Sequence, residues 1–324
     1  MCSRLCCPAV AFGLLVLGVV AGCEGRTPDA ERTDPPRTGS AAIPEEPGSD
    51  GETRFARPSR YRRLFVSGFS TVKALRDSLG EAAFLEVLKV NRLDYAHVRK
   101  GESLVVPDGL LMQTISGDGT ATGHGAPGGR PADGRTAARD SLYCSPFPRT
   151  LPFASAVPKL VVVSIRVQAL AAYAEGELIR WGPTSTGKKQ TPTPVGLYHV
   201  NWKDRERAST IDEEWLLNWC VNIENLLGIS LHEYALPGVP ASHSCVRLAR
   251  EDAEWLYGWV DQWRLSEDGS SVVRPGTPVL VFGEYAYGVR PPWKGLSEDV
   301  DAATVTREEI EAAWAASARA EENP

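Results

Sequence analysis

Two stretches of this chain cannot fold on their own, and they dictate where the folded parts must lie. From residue 24 to about 57 the sequence is Pro, Gly, Asp, Glu, Arg and Thr with almost no large apolar side chain, and 113–142 is again rich in Gly, Ala, Thr and Pro. Neither can bury enough apolar surface to offset the entropy of ordering its backbone. We read the first as a disordered tether and the second as a flexible linker. His124, alone among the glycines of the linker, has no partners to set its chemistry and receives no role. This leaves two foldable segments, 58–112 and 143–290, and a tail at 291–324, which suits a chain of 324 residues. A hydrophobic fraction of 43% permits a real core. A formal charge of -6 argues against nucleic acid, because a duplex-binding surface needs clustered Lys and Arg.

The first residues read as an export signal: Arg4, then an apolar run from Ala9 to Val20, too short to span a bilayer with margin. Val20-Ala21-Gly22-Cys23 resembles the lipobox of bacterial lipoproteins. That resemblance implies a signal peptide over 1–22, lipidation of Cys23 and membrane attachment through the acyl chains. Glu24, where a retention Asp would stand, implies the outer membrane and a periplasmic place in the cell envelope. Cys2, Cys6 and Cys7 would leave with the signal. The thiols of Cys144, Cys220 and Cys245 then remain, and in an oxidising compartment Cys144 and Cys220 either form a disulfide or lie separately buried.

The 58–112 segment reads as strand, helix, helix, strand. Leu64 to Val66 opens it, Thr71 caps a helix carrying Val72, Leu75 and Leu79, a second helix carries Phe84, Leu88 and Asn91, and Ser103 to Val106 closes it. Its second half, from Val87 to Leu93 and from Val98 to Pro107, resembles a LysM glycan-binding module, although the family's opening motif is missing around Ser67 to Ser70. The alternative is a small α+β prodomain that spaces or buttresses the rest.

The 143–290 segment is mainly β, with strands at 160–163, 167–173, 178–181, 197–202 and 279–282. A helix follows at Ala253, Leu256, Val260 and Trp263, behind Glu251 and Asp252. Residues 203–207, Lys-Asp-Arg-Glu-Arg, read as a solvated loop with the option of a lid. The tryptophans 215, 219, 255, 259 and 263 read as packing residues. In the tail, Thr306 and Glu309 form a capping-box pattern ahead of a peripheral helix at 310–318.

Chemistry concentrates in Leu231-His232-Glu233-Tyr234 and Ala241-Ser242-His243-Ser244-Cys245-Val246-Arg247-Leu248. A cysteine with two histidines nearby suggests a thiol kept free, because an imidazole within reach stabilises the thiolate. Zinc is the rival, but the tight His-Ser-Cys spacing fits no common zinc pattern, and neither a metal nor any other cofactor is expected.

The two segments together resemble the signature of the L,D-transpeptidase catalytic domain (YkuD-type), in which a His opens the motif and Ser-X-Gly-Cys-Ile/Val-Arg closes it. Residues 185–198, from Ser185-Thr186-Gly187-Lys188 to Leu197-Tyr198, resemble the family's upstream strand and turn, and Gly276 to Val281 its closing strand. The resemblance implies a β-sandwich with a helix after the motif, acting on peptidoglycan stem peptides and glycan. It makes Cys245 the nucleophile and His232 the general base, with Glu233 orienting the base through its backbone carbonyl. His243 becomes a second-choice base lining the site, and the N–H groups of Ser244 and Cys245 an oxyanion hole. Arg247, Ser242 and Tyr234 would bind substrate, Arg247 taking a stem carboxylate unless it serves a structural ion pair. Two residues depart from the family: Ser244 stands where Gly is usual and Glu233 where Gly is common. If the turn at Ser244 needs a positive φ, the side chain strains it by roughly 1–2 kcal/mol.

Overall fold

A computed structural model describes residues 57–108, 110, 142–208 and 216–322, which fall in one compact unit. The expected signal peptide, Cys23, the tether, Trp215 and nearly all of the linker lie outside the described residues.

The N-terminal segment has the order read from its apolar spacing: β1 (Tyr61–Phe65), α1 (Phe69–Leu79), α2 (Glu81–Asn91) and β2 (Ser103–Pro107). β1 and β2 are antiparallel, with Tyr61 opposite Pro107. Val72, Leu75 and Leu79 of α1 and Phe84, Val87 and Leu88 of α2 form one buried cluster. Thr71 does not cap; α1 begins at Phe69 behind Gly68, and the Thr71 hydroxyl lies 2.6 Å from that of Ser67. Asn91, fully buried, staples the helix to the strand: its amide donates to the carbonyls of Val87 and Val105, each at 2.8 Å, and its oxygen accepts the Val105 N–H at 2.9 Å. Both halves of a buried side-chain amide are thereby satisfied.

The second segment forms β3 (Lys159–Ser164), β4 (Ala169–Ala174), β5 (Glu177–Ser185), β6 (Gly196–His199), β7 (Lys203–Ala208), β8 (Leu216–Glu224), β9 (Ile229–Glu233) and β10 (Val246–Leu248). Then come α3 (Arg250–Trp259), the short hairpin β11 (Arg264–Leu265) and β12 (Val272–Arg274), β13 (Pro278–Phe282) and α4 (Arg307–Glu322). Hydrogen bonding runs without a break through nine strands in the order β6-β13-β3-β4-β5-β10-β9-β8-β7. The mainly β architecture is present, but in place of the two separate sheets of a sandwich there is one curled sheet. Its two halves meet where Asn201 N–H donates to the Asn222 carbonyl at 2.9 Å and Asn222 N–H to that of Trp202 at 3.0 Å, just past the end of β6.

Three local expectations are corrected by tertiary partners. Residues 203–207 belong to strand β7, paired along β8, and not to a loop. Helix α3 stops at Trp259, before the apolar spacing at Val260 and Trp263 runs out. The chain there is captured from outside: the Thr277 hydroxyl accepts the Asp261 N–H and the Val200 carbonyl accepts that of Trp263, each at 2.9 Å. The last helix, α4, starts with the reciprocal capping bonds, Thr306 N–H to Glu309 at 2.8 Å and Glu309 N–H to Thr306 Oγ1 at 3.2 Å. It is not peripheral, since Ile310 is fully buried and Trp314 packs on Phe153.

The N-terminal segment shares its core with the sheet. Tyr61, Val90 and Val105 fall in the same buried cluster as Phe147, Leu160 and the central strands. The joint is Arg92, the residue that ends α2 in the left-handed region at φ 61°. Glycine would avoid the steric cost there, but Arg92 uses its side chain. Its guanidinium donates to the carbonyls of Val167 and Lys89 at 2.8 Å and of Val90 at 3.1 Å, and lies 5.4 Å from the ring centres of both Trp181 and Trp293. Burial pulls its pKa down to about 9, which leaves it charged at neutral pH. Arg92→Ala would strand these carbonyls and open a cavity between the tryptophans. We expect a loss of about 3 kcal/mol in urea unfolding, with the N-terminal helices and the sheet still melting in one transition.

Candidate active site

The three-residue strand β10 builds the site. It pairs parallel to β9, with Arg247 opposite His232, and antiparallel to β5, with Arg247 opposite Ser185. Cys245, one step before β10, comes beside Ser230, and alternation puts Cys245 and Arg247 on the same side as Ser230 and His232. On the far side of β9, Trp219 and Cys220 together face the single residue His232, between the pairs Asn218–Glu233 and Val221–Leu231. This bulge, with Trp219 at φ 54°, bends β8 at the histidine.

His232 is 4% exposed, and its Nδ1 lies 2.9 Å from the carbonyl oxygen of Glu233. A carbonyl only accepts, so Nδ1 carries the proton and Nε2 is left with its lone pair. Burial first, and the charge of Arg247 last, pull the imidazole down to about 4, against a smaller opposing contribution from the Glu233 carbonyl. The Cys245 thiol is free and half-buried, and burial raises its pKa. It donates to the Gly228 carbonyl at 3.7 Å, while the backbone of Ser230 and the Arg247 charge favour the thiolate. At neutral pH both groups rest uncharged.

The turn before Cys245 is held by its carbonyls. Thr191 Oγ1 and Lys188 N–H donate to the Ser242 oxygen at 3.2 and 3.0 Å, and Thr193 Oγ1 donates to that of Ser244 at 2.8 Å. The Ser242 hydroxyl donates to the Cys245 oxygen. In a trans peptide the N–H points opposite the C=O, so the N–H of Cys245 faces away from Thr193. Ser244 adopts φ 77°, the conformation that glycine favours. Behind the turn, Gly187 packs so closely that a Cβ would meet the Thr191 carbonyl at 2.2 Å, and its N–H donates to Thr193 Oγ1 at 2.8 Å. Gln168, buried at φ 47°, holds Thr186 from both sides at 2.8 Å, and the Thr186 carbonyl accepts the N–H groups of Ala241 and Ser242.

His243 Nε2 lies 2.9 Å from Lys188 Nζ, so its lone pair faces an ammonium and is badly placed to take a proton. Ser242, expected to meet substrate, is 2% exposed and committed to the turn. Arg247 lies 4.5 Å over the Tyr234 ring and makes no salt bridge among the described residues. Tyr234 also meets the His232 ring edge-on at 6.1 Å. The expected Cys144–Cys220 disulfide is not formed. Cys144 is a free buried thiol in the cluster with Tyr61 and Val90, whereas Cys220 is a free buried thiol beside Ser230. Sequence reasoning missed Gln168, and it placed Lys188, Thr191 and Thr193 within the match at 185–198 without giving them a role. A groove of about 1070 Å³ adjoins Gly187 and Thr193, but neither Cys245 nor His232 lines it.

The family model of the L,D-transpeptidase catalytic domain (YkuD) matches residues 158–281, so that domain is found in the chain. Probable L,D-transpeptidase 3 of Mycobacterium tuberculosis is 34% identical over 97 residues, 24% of this chain and 35% of the relative. Among solved structures, L,D-transpeptidase 3 from Mycobacterium tuberculosis with a faropenem-derived adduct aligns at 25% identity and TM-score 0.31, over 39% of this chain and 60% of that one. An L,D-transpeptidase from Stackebrandtia nassauensis aligns at 24% and 0.32, over 39% and 56%. The chain thus spans about a third of the curated relative and less than two thirds of these structures.

Two predictions follow from the geometry. An unfolded His titrates near 6.5 and the native His232 near 4. Between these values the unfolded chain holds a proton that the native one lacks, so His232 costs nothing above pH 6.5 and removes about 3 kcal/mol of stability by pH 4. Urea unfolding of His232→Gln should show a shallower acid decline by that amount. Ser244→Gly should raise stability by about 0.5–1 kcal/mol in the same assay, the reverse of a glycine substitution elsewhere.

Proposed function

We propose that the protein is a peptidoglycan L,D-transpeptidase in which Cys245 is the nucleophile and His232 the general base. The observation that carries this reading is a buried imidazole whose Nδ1 is tied to the Glu233 carbonyl, leaving Nε2 to accept a proton on the face that bears Cys245. Both groups rest neutral, so the proton moves as the bond forms and not before.

In the first half-reaction Cys245 Sγ attacks the carbonyl joining the third stem residue to terminal D-Ala. The sulfur–carbon bond forms, the carbon–nitrogen bond breaks, and the thiol proton passes through His232 Nε2 to the departing D-Ala amine. In the second, an acceptor amine attacks the thioester, His232 takes its proton, and the thiol is regenerated. The oxyanion sits against the N–H groups of Ser244 and Cys245, which donate to no turn or loop carbonyl among the described residues. Arg247, charged and outside any salt bridge among the described residues, takes the stem carboxylate, with Tyr234 holding its guanidinium in place. His243 lines the site through Lys188 and is no longer favoured as a base. No cofactor takes part.

The same reading places the enzyme in the cell envelope, held to the outer membrane through acyl chains on Cys23, with the LysM-like segment serving glycan. The acceptor decides the product: a neighbouring stem gives a crosslink, a protein gives wall attachment, and water gives a carboxypeptidase. Incubation of the full chain with disaccharide tetrapeptide should yield a thioester on the Cys245 peptide and release of D-Ala by mass spectrometry. Cys245→Ala should lower turnover about 1000-fold or more. Undiminished turnover in that variant would overturn the reading, and bare tripeptide without dimer would leave only its hydrolytic form.

A further inference from the structure

The chain that runs from His232 to Cys245 is gripped from outside the catalytic domain. After β9, Tyr234 N–H bonds back to the Leu248 carbonyl at 3.1 Å, and near the other end the Ser185 hydroxyl donates to the Val239 carbonyl at 2.7 Å. Between these points the segment reaches the turn that follows α2 of the N-terminal segment. Leu93 bridges Pro237 in antiparallel fashion. Asp94 holds both polar groups of Leu236: its own N–H donates to the Leu236 carbonyl at 3.0 Å, and its Oδ2 accepts the Leu236 N–H at 2.8 Å. Leu236 is 1% exposed, so that N–H has no water to replace the carboxylate. The other carboxylate oxygen is fixed in turn, accepting the His97 N–H at 3.0 Å with His97 Nδ1 at 2.7 Å, which sets the Asp94 rotamer. Two residues earlier, Arg92 anchors the same turn to the Val167 carbonyl at 2.8 Å, just before β4. The turn at 91–94 therefore spans two places on the catalytic domain: the connection between β3 and β4, and the connection between base and nucleophile.

We infer that Asp94 is a positioning residue for the Cys245–His232 pair, through which the N-terminal segment sets the geometry of the catalytic domain. Asp94 touches no reacting atom. It acts by fixing Leu236, four residues beyond His232, and so the course of the chain to Cys245. A misplacement of about 1 Å in a reacting pair can cost on the order of 100-fold in rate, which makes such a remote contact visible in turnover. The kinetic part of the inference rests on the acyl-transfer reading above; the positioning part does not.

The test uses the full chain with Asp94→Ala, Asp94→Asn and His97→Ala. Four quantities are read well below the melting temperature: kcat and KM on disaccharide tetrapeptide, the alkylation rate of the Cys245 peptide by iodoacetamide, and exchange of the Leu236 amide. For Asp94→Ala we expect kcat to fall about 10- to 100-fold with KM within about threefold, slower alkylation of Cys245 and faster Leu236 exchange. Asp94→Asn keeps one oxygen for the Leu236 N–H and should stay within about threefold of the parent. His97→Ala, which leaves the Leu236 bond in place, should behave likewise. If Asp94→Ala does not fold, Asp94→Asn and His97→Ala still carry the test, because equal 10-fold losses in both would mark general weakening in place of positioning. Faster Leu236 exchange with unchanged kcat and alkylation overturns the inference. Should the parent turn over no muropeptide while alkylation and exchange respond to Asp94→Ala, positioning stands and the transpeptidase reading fails alone.

Discussion

Three residues, Val246–Leu248, carry the architecture and assemble the candidate site at once. As β10 they are the only strand between β5 and β9, so the nine-stranded sheet is continuous only because they pair on both edges. The parallel pairing with β9 sets Arg247 opposite His232 and brings Cys245 beside Ser230. A one-residue slip would send every side chain of β10 to the other face. Register therefore fixes which side chains share the candidate site, and it is secured by the buried Val246 and Leu248 on the opposite face from Arg247.

Around that strand polar groups serve the backbone rather than the side chains of Cys245 and His232. The hydroxyls of Thr191, Thr193 and Ser242 fix the carbonyls of the turn, and Gln168 fixes the strand end behind it. Ser244 stays at a positive φ because these bonds over-determine it. Cys245 and His232 are left desolvated: burial holds the thiol protonated and the imidazole deprotonated. On the proposed reading, such a neutral pair gains its reactivity when a substrate supplies the polar surroundings that an oxyanion and a thiolate need. Arg247 lies close enough to influence both side chains.

The N-terminal segment is part of this frame. Beside the shared apolar core, its polar contacts with the rest of the protein include one buried guanidinium between two tryptophans and one carboxylate on a buried backbone, both within a single four-residue turn. Buried polar groups of this kind are costly if misplaced and so define a single arrangement of the two parts. A module joined in this way is ill suited to swing on a linker, and better suited to hold what it touches.

What the sequence determined by itself was whatever repeats at short range: the strand-helix-helix-strand order of 58–107, the capping box at Thr306 and Glu309, and the pair of motifs that contain His232 and Cys245. Periodicity and motif spacing report on local backbone and side-chain type, and those survive without knowledge of partners. Strand β7 was hidden because its charged residues show no alternation, and the end of α3 because Thr277 and Val200 capture the chain from far away in sequence. The disulfide expectation failed for the same reason, since the distance between two thiols is a property of the packed chain. Only the tertiary structure decided which histidine keeps an open lone pair, which hydroxyls serve the turn, and that Asp94 reaches Leu236. The His243–Lys188, Thr193–Ser244 and Asp94–Leu236 contacts join groups separated by tens to more than a hundred residues, which only a finished core brings within hydrogen-bond reach.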